Sequence, residues 1–387
     1  MVTERLIRGA YVIFSTEMRQ TDVRLRDGRI VEIGPKLSVT NLDVDIIDAE
    51  GLFLVAGWID LQCNGGFGFD FTTQPDTMWT VAERLPRYGV TAFLPTIITS
   101  PLDNVAEAQA VWLAGPSGSG IGAAALGLHV EGPYLNSAKK GAHNHDWIRE
   151  PDVQEIINWR LERGVRLVTL APEQEGAIEM IAQLRRHGVV VSAGHSMATF
   201  DQAKSAFSAG VRYGTHLFNA MPPMHHREPG LVGALLDDPR PIVGIIPDGI
   251  HVHPALIKMA WKEAGGRLNI VTDCMAAMGL GAGIYKLGDS QVTVDGVSAR
   301  LPDDTLAGSI VTMDAAVRHF ISWTGCSLSQ GMATVTSTPA DLLGLRHKGR
   351  IKVGGDGDLV LLDRDLQIEK TLIGGEIAYE RNIEFIS

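Results

Sequence analysis

Five stretches of the chain place a carboxylate or an imidazole directly at the end of an apolar run. His129-Val-Glu131-Gly-Pro ends the run at 124–130, Gly194-His195-Ser follows 189–193, and His216-Leu-Phe-Asn219 closes 211–217. Asp248-Gly-Ile-His251 follows 242–247, and Asp273 follows 268–272. A charged or imidazole side chain in such a place is costly to bury unless it is paired or holds a metal. Each residue has an ordinary explanation when taken singly. A lone His is most often a hydrogen-bonded core or surface residue, Glu131 can partner a helix cap, and Asp273 can cap the helix behind it. Repetition at one end of successive strands implies a shared site. Glu131, His195 and His216 offer one carboxylate and two imidazoles. That set suits Zn²⁺ or Fe²⁺ with a position left open for water, the layout of a catalytic centre.

Activated water needs a group to take its proton and an acid for the leaving group. Asp273 is the best-placed carboxylate and can serve both steps. His143, in Lys140-Gly-Ala-His143-Asn-His145, lies in the long loop after Glu131 and is placed to hydrogen-bond a developing oxyanion. His145 reads as a solvated loop residue. His225-His226-Arg227 offers groups that bind anions, with the Arg227 fork suited to phosphate. Its plainer reading is an exposed basic turn. Leu306-Ala-Gly-Ser309 is compact enough for a ligand to approach its backbone, a weak signal by itself. Cys63 and Cys274 lack CxxC spacing and read as small buried residues.

The elements that must carry these residues alternate along the middle of the chain. Apolar runs at 54–61, 90–98, 124–130, 165–170, 189–193, 211–217, 242–247 and 268–272 predict strands. Stretches at 76–88, 151–163, 176–187 and 201–209 predict helices, with Pro151 and Pro254 as first helical residues. Continuous apolar strands separated by helices mean a parallel sheet with crossovers. Eight of them match a (β/α)8 TIM-like barrel, whose sites lie at the C-terminal strand ends. A doubly wound open sheet is the alternative, but Gly65-Gly66-Phe67-Gly68 lacks the G-x-G-x-x-G spacing and no helix follows at once. Residues 1–55 and 345–387 read as short β segments. The expected fold is therefore α/β: a barrel over 56–344 and a small β-sandwich domain formed by both termini.

Composition narrows the function. Of 387 residues, 45% are hydrophobic and 20% charged, enough to build a large core. Acidic residues number 45 against 34 basic, a net charge of −11, and no basic run occurs. Nucleic acid and anionic membranes are poor candidates as partners. No apolar stretch reaches the roughly 20 residues of a membrane span. The first ten residues lack a signal peptide's apolar region. Three scattered cysteines argue against a disulfide framework. The expectation is a cytoplasmic protein.

Together the motifs His129-Val-Glu131-Gly-Pro-Tyr, Gly194-His195-Ser, Thr215-His216-Leu-Phe-Asn219-Ala-Met, His226-Arg227-Glu-Pro-Gly, Asp248-Gly-Ile-His251 and Thr272-Asp273 resemble the amidohydrolase superfamily. Within it they resemble the deacetylases of N-acetylated sugar phosphates. Asp27-Gly-Arg-Ile30 with Gly57-Trp-Ile-Asp60, and the stretch 354–363, extend the match over nearly the whole chain. The resemblance implies one divalent metal per chain on Glu131, His195 and His216, zinc first, with iron, cobalt or manganese as alternatives. It implies Asp273 as acid and base, His143 as the group that polarises the acetyl carbonyl, and Ala142, Asn219, Ala220, Arg227, His251 and the backbone of Ala307, Gly308 and Ser309 around a sugar phosphate. It further implies a homo-oligomer, a dimer or tetramer, with some of these residues reaching across an interface. The implied reaction releases acetate from N-acetylglucosamine 6-phosphate. The galactosamine epimer is the alternative substrate, and a cyclic-amide hydrolase or an inactive binding relative are more distant ones. Two departures stand out: the superfamily's His-x-His reads Gln62-Cys-Asn64 here, which implies a mononuclear site, and the usual Pro before Gly57 is Ala56.

Overall fold

The computed structural model describes residues 4–15, 17–39, 44–118 and 120–381. Its centre is a parallel sheet of eight strands that follow one another in order: β1 (Trp58–Cys63), β2 (Val90–Ile98), β3 (Leu128–Glu131), β4 (Val165–Leu170), β5 (Val190–Ala193), β6 (Tyr213–Gly214), β7 (Ile242–Ile245) and β8 (Leu268–Ile270). Each pairs in parallel with the next. Burial explains the composition: every residue of β2 is buried, as expected of a strand covered on both faces. The sheet closes just beyond β8. The Asp273 amide donates to the Gln62 carbonyl at 2.9 Å and the Asn64 amide to the Cys274 carbonyl at 2.8 Å, which ties the last strand's exit to β1. This is the expected TIM-like barrel.

Helices Ala177–Arg186, Phe200–Ala209, Gly230–Asp237 and Pro254–Ala264 follow β4, β5, β6 and β7. Thr199 starts the second with a reciprocal capping box to Gln202, and Pro254 is the first residue of the fourth. No described helix is long and apolar enough to cross a membrane.

A second sheet draws on both ends of the chain. It holds Glu4–Ile13, Met18–Arg26, Arg29–Gly34, Asp45–Asp48 and Phe53–Ala56, together with Leu359–Leu362, Ile368–Ile373 and Glu376–Glu380. Leu359–Leu362 runs antiparallel to Phe53–Ala56 and so joins the two ends. Alternation assigns the faces. Leu54, Leu359 and Leu361 enter this sheet's own core with Val23, Leu25 and Ile30, while Val55, Val360 and Leu362 face the barrel core. Residues 1–3 and 382–387 of the two terminal stretches lie outside the described residues.

Four expectations are corrected. The run at 54–61 is two strands of two sheets, divided at Gly57, where a Cβ would sit 2.1 Å from Thr91 Oγ1. The run at 124–130 splits at Gly127 (φ 127°) into Ala124–Ala125 and β3. The run at 211–217 yields only two strand residues, because His216 already turns away at φ 29°. Residues 151–163 form turns and one 3₁₀ segment, Leu161–Arg163, rather than an α-helix. There the Asp152 carboxylate takes the Gln154 amide at 2.8 Å in an Asx turn that competes with the helix start. Sequence reasoning also missed an antiparallel meander, Gly283–Leu287, Ser290–Val294 and Ala299–Arg300, that stands over the C-terminal mouth of the barrel.

Candidate active site

At that mouth lies a cleft of about 220 Å³ lined by Asn64, Ile98, Glu131, Gly141, Ala142, His143, His195, His216, Asn219, Ala220, His251, Asp273, Leu287, Thr305, Leu306 and Gly308. Glu131 is the last residue of β3, His195 lies two residues past β5, His216 two past β6 and Asp273 three past β8. His195, His216, Ala220 and Asp273 have φ of 49°, 29°, 52° and 48°. Left-handed backbone is strained for these residues. It lets a chain leaving its strand turn at once and aim a side chain back over the barrel axis.

Glu131, His195 and His216 converge although 85 residues separate the first from the last. Glu131 Oε1 lies 3.2 Å from His195 Nε2 and 3.1 Å from His216 Nε2, and the two nitrogens are 3.1 Å apart. All three residues are buried. The donor chemistry fits a cation. His195 Nδ1 gives its hydrogen to the Lys139 carbonyl at 2.9 Å, so its Nε2 turns a lone pair toward a carboxylate oxygen. His216 Nδ1 has no protein partner among the described residues. A shared cation would offset the electron density gathered in this triangle, and the group is able to hold a metal ion. Although burial favours the neutral acid, the imidazoles of His195 and His216 against it keep the Glu131 carboxyl well below its ordinary range.

Asp273 stands beside the triangle. Gln62 Nε2 and Asn64 Nδ2 both donate to its Oδ1, at 3.0 and 2.8 Å, and Gln62 Nε2 also reaches Glu131 Oε1 at 3.0 Å. The two amides at the His-x-His positions therefore orient carboxylates. Burial, then the Glu131 charge, raise the Asp273 carboxyl to about 6. His143 Nε2 sits 3.9 Å from Glu131 Oε2, and burial, then the neighbouring His195, lower this imidazole to about 3. His251 is held by Asp248, whose Oδ2 takes Nδ1 at 2.6 Å.

The anticipated residues are not all brought together. Ala142, Asn219, Ala220, His251 and Gly308 line the cleft, but Ala307 and Ser309 turn inward. Ser309 accepts nothing from the cleft: its hydroxyl donates to the Thr272 carbonyl at 2.5 Å and its amide to the Asp273 carbonyl at 2.8 Å. It braces the acidic residue. Arg227 lies in the exposed stretch with His225 and His226 and is not part of the cleft wall of its own chain. His145 is exposed as expected. Leu306, in the compact segment singled out above, lines the cleft, whereas Ile98, Thr305 and Leu287 of the meander were missed. The alternating Ile284-Tyr-Lys-Leu287 and Gln291-Val-Thr-Val294 around Gly288-Asp289 were the available signal.

The family model described as Amidohydrolase family matches residues 53–378. The chain belongs to the amidohydrolase family. This amidohydrolase is 39% identical over 97% of its length to the N-acetylglucosamine-6-phosphate deacetylase of Bos taurus, covering 94% of that protein. It is 36% identical to that of Bacillus subtilis, with 98% of each chain covered. Among solved structures, the N-acetylglucosamine-6-phosphate deacetylase of Pasteurella multocida superposes with a TM-score of 0.91 at 31% identity, over 98% of this chain and 100% of the other. A point mutant of the Mycobacterium smegmatis enzyme, in complex with N-acetyl-D-glucosamine-6-phosphate, superposes with a TM-score of 0.89 at 33% identity, over 97% and 99%. Likeness to a D-hydantoinase, TM-score 0.67 at 15% identity, reflects the shared fold.

Proposed function

We propose that this amidohydrolase cleaves the acetamide of N-acetylglucosamine 6-phosphate with water, releasing acetate and glucosamine 6-phosphate. The observation that carries the reading is the buried Glu131–His195–His216 triangle with Asp273 beside it in one cleft. The names of its relatives favour the gluco over the galacto epimer.

The geometry supports the following roles. Glu131, His195 and His216 hold one divalent cation, for which zinc is our first choice. Bound there, the cation supplies Lewis-acid chemistry, acidifying water and polarising a carbonyl. Asp273 takes the proton of the attacking water and returns it to the departing nitrogen. Its Oδ1 is occupied by Gln62 and Asn64, which leaves Oδ2 to carry the proton. His143 donates to the acetyl oxygen as negative charge develops there. Asn219, Ala220, His251 and the backbone at Ala142 and Gly308 meet the sugar, and Ala307 and Ser309 brace this wall.

The cleft wall contains no Lys or Arg, yet a 6-phosphate carries about two negative charges at neutral pH. We assign its recognition to Arg227 of a second copy, which makes the working form a homo-oligomer, a dimer at least. We place it in the cytoplasm, in keeping with its three free thiols, and treat 1–55 with 345–387 and 56–344 as its two domains. Acetate release from the sugar phosphate, measured alongside elemental analysis, tests the reading. We expect turnover and about one divalent ion per chain, as one site with three protein ligands requires. Two tightly held ions, or no acetate, overturn it.

A further inference from the structure

Just past β2, Thr99 makes contacts to which neither the sequence nor the mechanism above assigns a role. The residue is 4% exposed. Its backbone nitrogen lies 3.2 Å from His143 Nδ1 and its Oγ1 2.8 Å from the same atom. A backbone amide is always a donor, so Nδ1 must accept and carries no hydrogen. An imidazole with a bare Nδ1 is neutral and holds its single hydrogen on Nε2. The Thr99 hydroxyl then also points its hydrogen at Nδ1; its other possible acceptor, the Glu131 carbonyl oxygen, is farther away at 3.1 Å. At the opposite edge of the ring, Nε2 is 3.9 Å from Glu131 Oε2, too far for a hydrogen bond, so its hydrogen is not consumed by the metal triangle.

We propose that Thr99 is a positioning residue that fixes His143 as a neutral Nε2–H donor aimed at the acyl oxygen of the substrate. The inference rests on the amide-hydrolysis reading for the identity of that oxygen, though not for the tautomer. It also divides the labour of the site. A ring that must keep Nδ1 as an acceptor cannot take a proton there, so proton movement falls to Asp273 alone while His143 stabilises charge. Gly132 belongs to the same device. A Cβ on it would stand 2.1 Å from Thr99 Oγ1, so only glycine lets the hydroxyl sit where it does.

Neutron diffraction of the metal-loaded, deuterated protein reads the tautomer without reference to activity. A deuteron on Nε2 of His143, none on Nδ1, and the Thr99 deuteron directed at Nδ1 are expected; a deuteron on Nδ1 overturns the proposal. Kinetics supply the second arm. Thr99→Val keeps the shape but loses the hydroxyl, and kcat should fall about 10-fold or more with KM changed less than about threefold, a smaller loss than the roughly 100-fold or greater effect of deleting an oxyanion donor outright. Thr99→Ser should recover kcat to within about threefold of the parent, since the hydroxyl donor returns beside the backbone amide that every variant keeps. A Thr99→Val enzyme with parental kcat overturns the assignment. If the parent releases no acetate from the sugar phosphate, the substrate reading fails while the deuteron map still decides the role of Thr99.

Discussion

Asp273 and Asp60 are both buried carboxyls near the barrel mouth, and each makes a separate prediction. Asp273 is to move protons. Asp273→Asn preserves size and the contact with Gln62 but cannot accept a proton, so it should keep its metal by elemental analysis and lose turnover by about 100-fold or more. Near-parental kcat would remove Asp273 from the acid–base role. Asp60, on β1, accepts Thr272 Oγ1 at 2.6 Å, yet burial pushes its carboxyl up to about 7 from an ordinary 3.8. The folded state therefore binds the proton more tightly than the unfolded chain. This contribution to stability is complete below about pH 4 and is lost as the pH rises through about 7. Asp60→Asn does not titrate. Between pH 5 and pH 8 the stability gap should shift in favour of the variant, by on the order of 1–3 kcal/mol in matched denaturation curves. A gap that does not change with pH would show that Asp60 is ionised throughout.

The strand ends, as elements, set the precision of the site. His195 is carried by a turn whose Gly194 sits against two neighbouring strands: a Cβ there would lie 2.8 Å from Thr215 Cβ and 2.9 Å from Thr169 Cγ2. Those strands are rigid, because the hydroxyls of Thr169, Thr215 and Ser192 bond one another at 2.7 and 2.5 Å. Gly194→Ala must push the His195 turn outward. We expect a loss of about 1–3 kcal/mol, typical of overpacking, together with weaker metal retention on dialysis against a chelator. Parental stability and metal content would show that the turn yields without moving His195. The meander over the cleft works at the same scale, since it brings Leu287 into the cleft wall.

For the whole molecule, the question is how an acidic chain binds an acidic substrate. Arg227 is exposed in its own chain, and the cleft wall offers no fixed positive charge. Arg227→Ala should raise KM for the phosphorylated sugar by about 10-fold or more, the loss of a charge-assisted bidentate contact, and leave unphosphorylated N-acetylglucosamine nearly unchanged. If the arginine comes from a second copy, mixing Arg227→Ala with Asp273→Asn chains after dissociation should restore activity, because hybrid oligomers contain one site with both residues. No recovery after subunit exchange would place Arg227 in the site of its own chain, or outside it altogether.

By itself the sequence determined the alternation of apolar runs and helices, hence the barrel, and the type of side chain leaving each strand. Both are written locally, in periodicity and in the residue that ends each run. Glu131, His195, His216 and Asp273 were legible for that reason. Legibility stopped where a residue's meaning depends on what stands across from it. Gln62 and Asn64 looked like missing metal ligands until Asp273 lay within 3.0 Å of their amides. Thr99, one residue past the run at 90–98, carried no signal until His143 came back onto it from 44 residues away. The Ser309 hydroxyl turned inward, and Arg227 lies exposed outside the cleft wall of its own chain. Hydrogen-bond direction, tautomer and reach are properties of pairs brought together by closure of the barrel, and only the tertiary structure decides them.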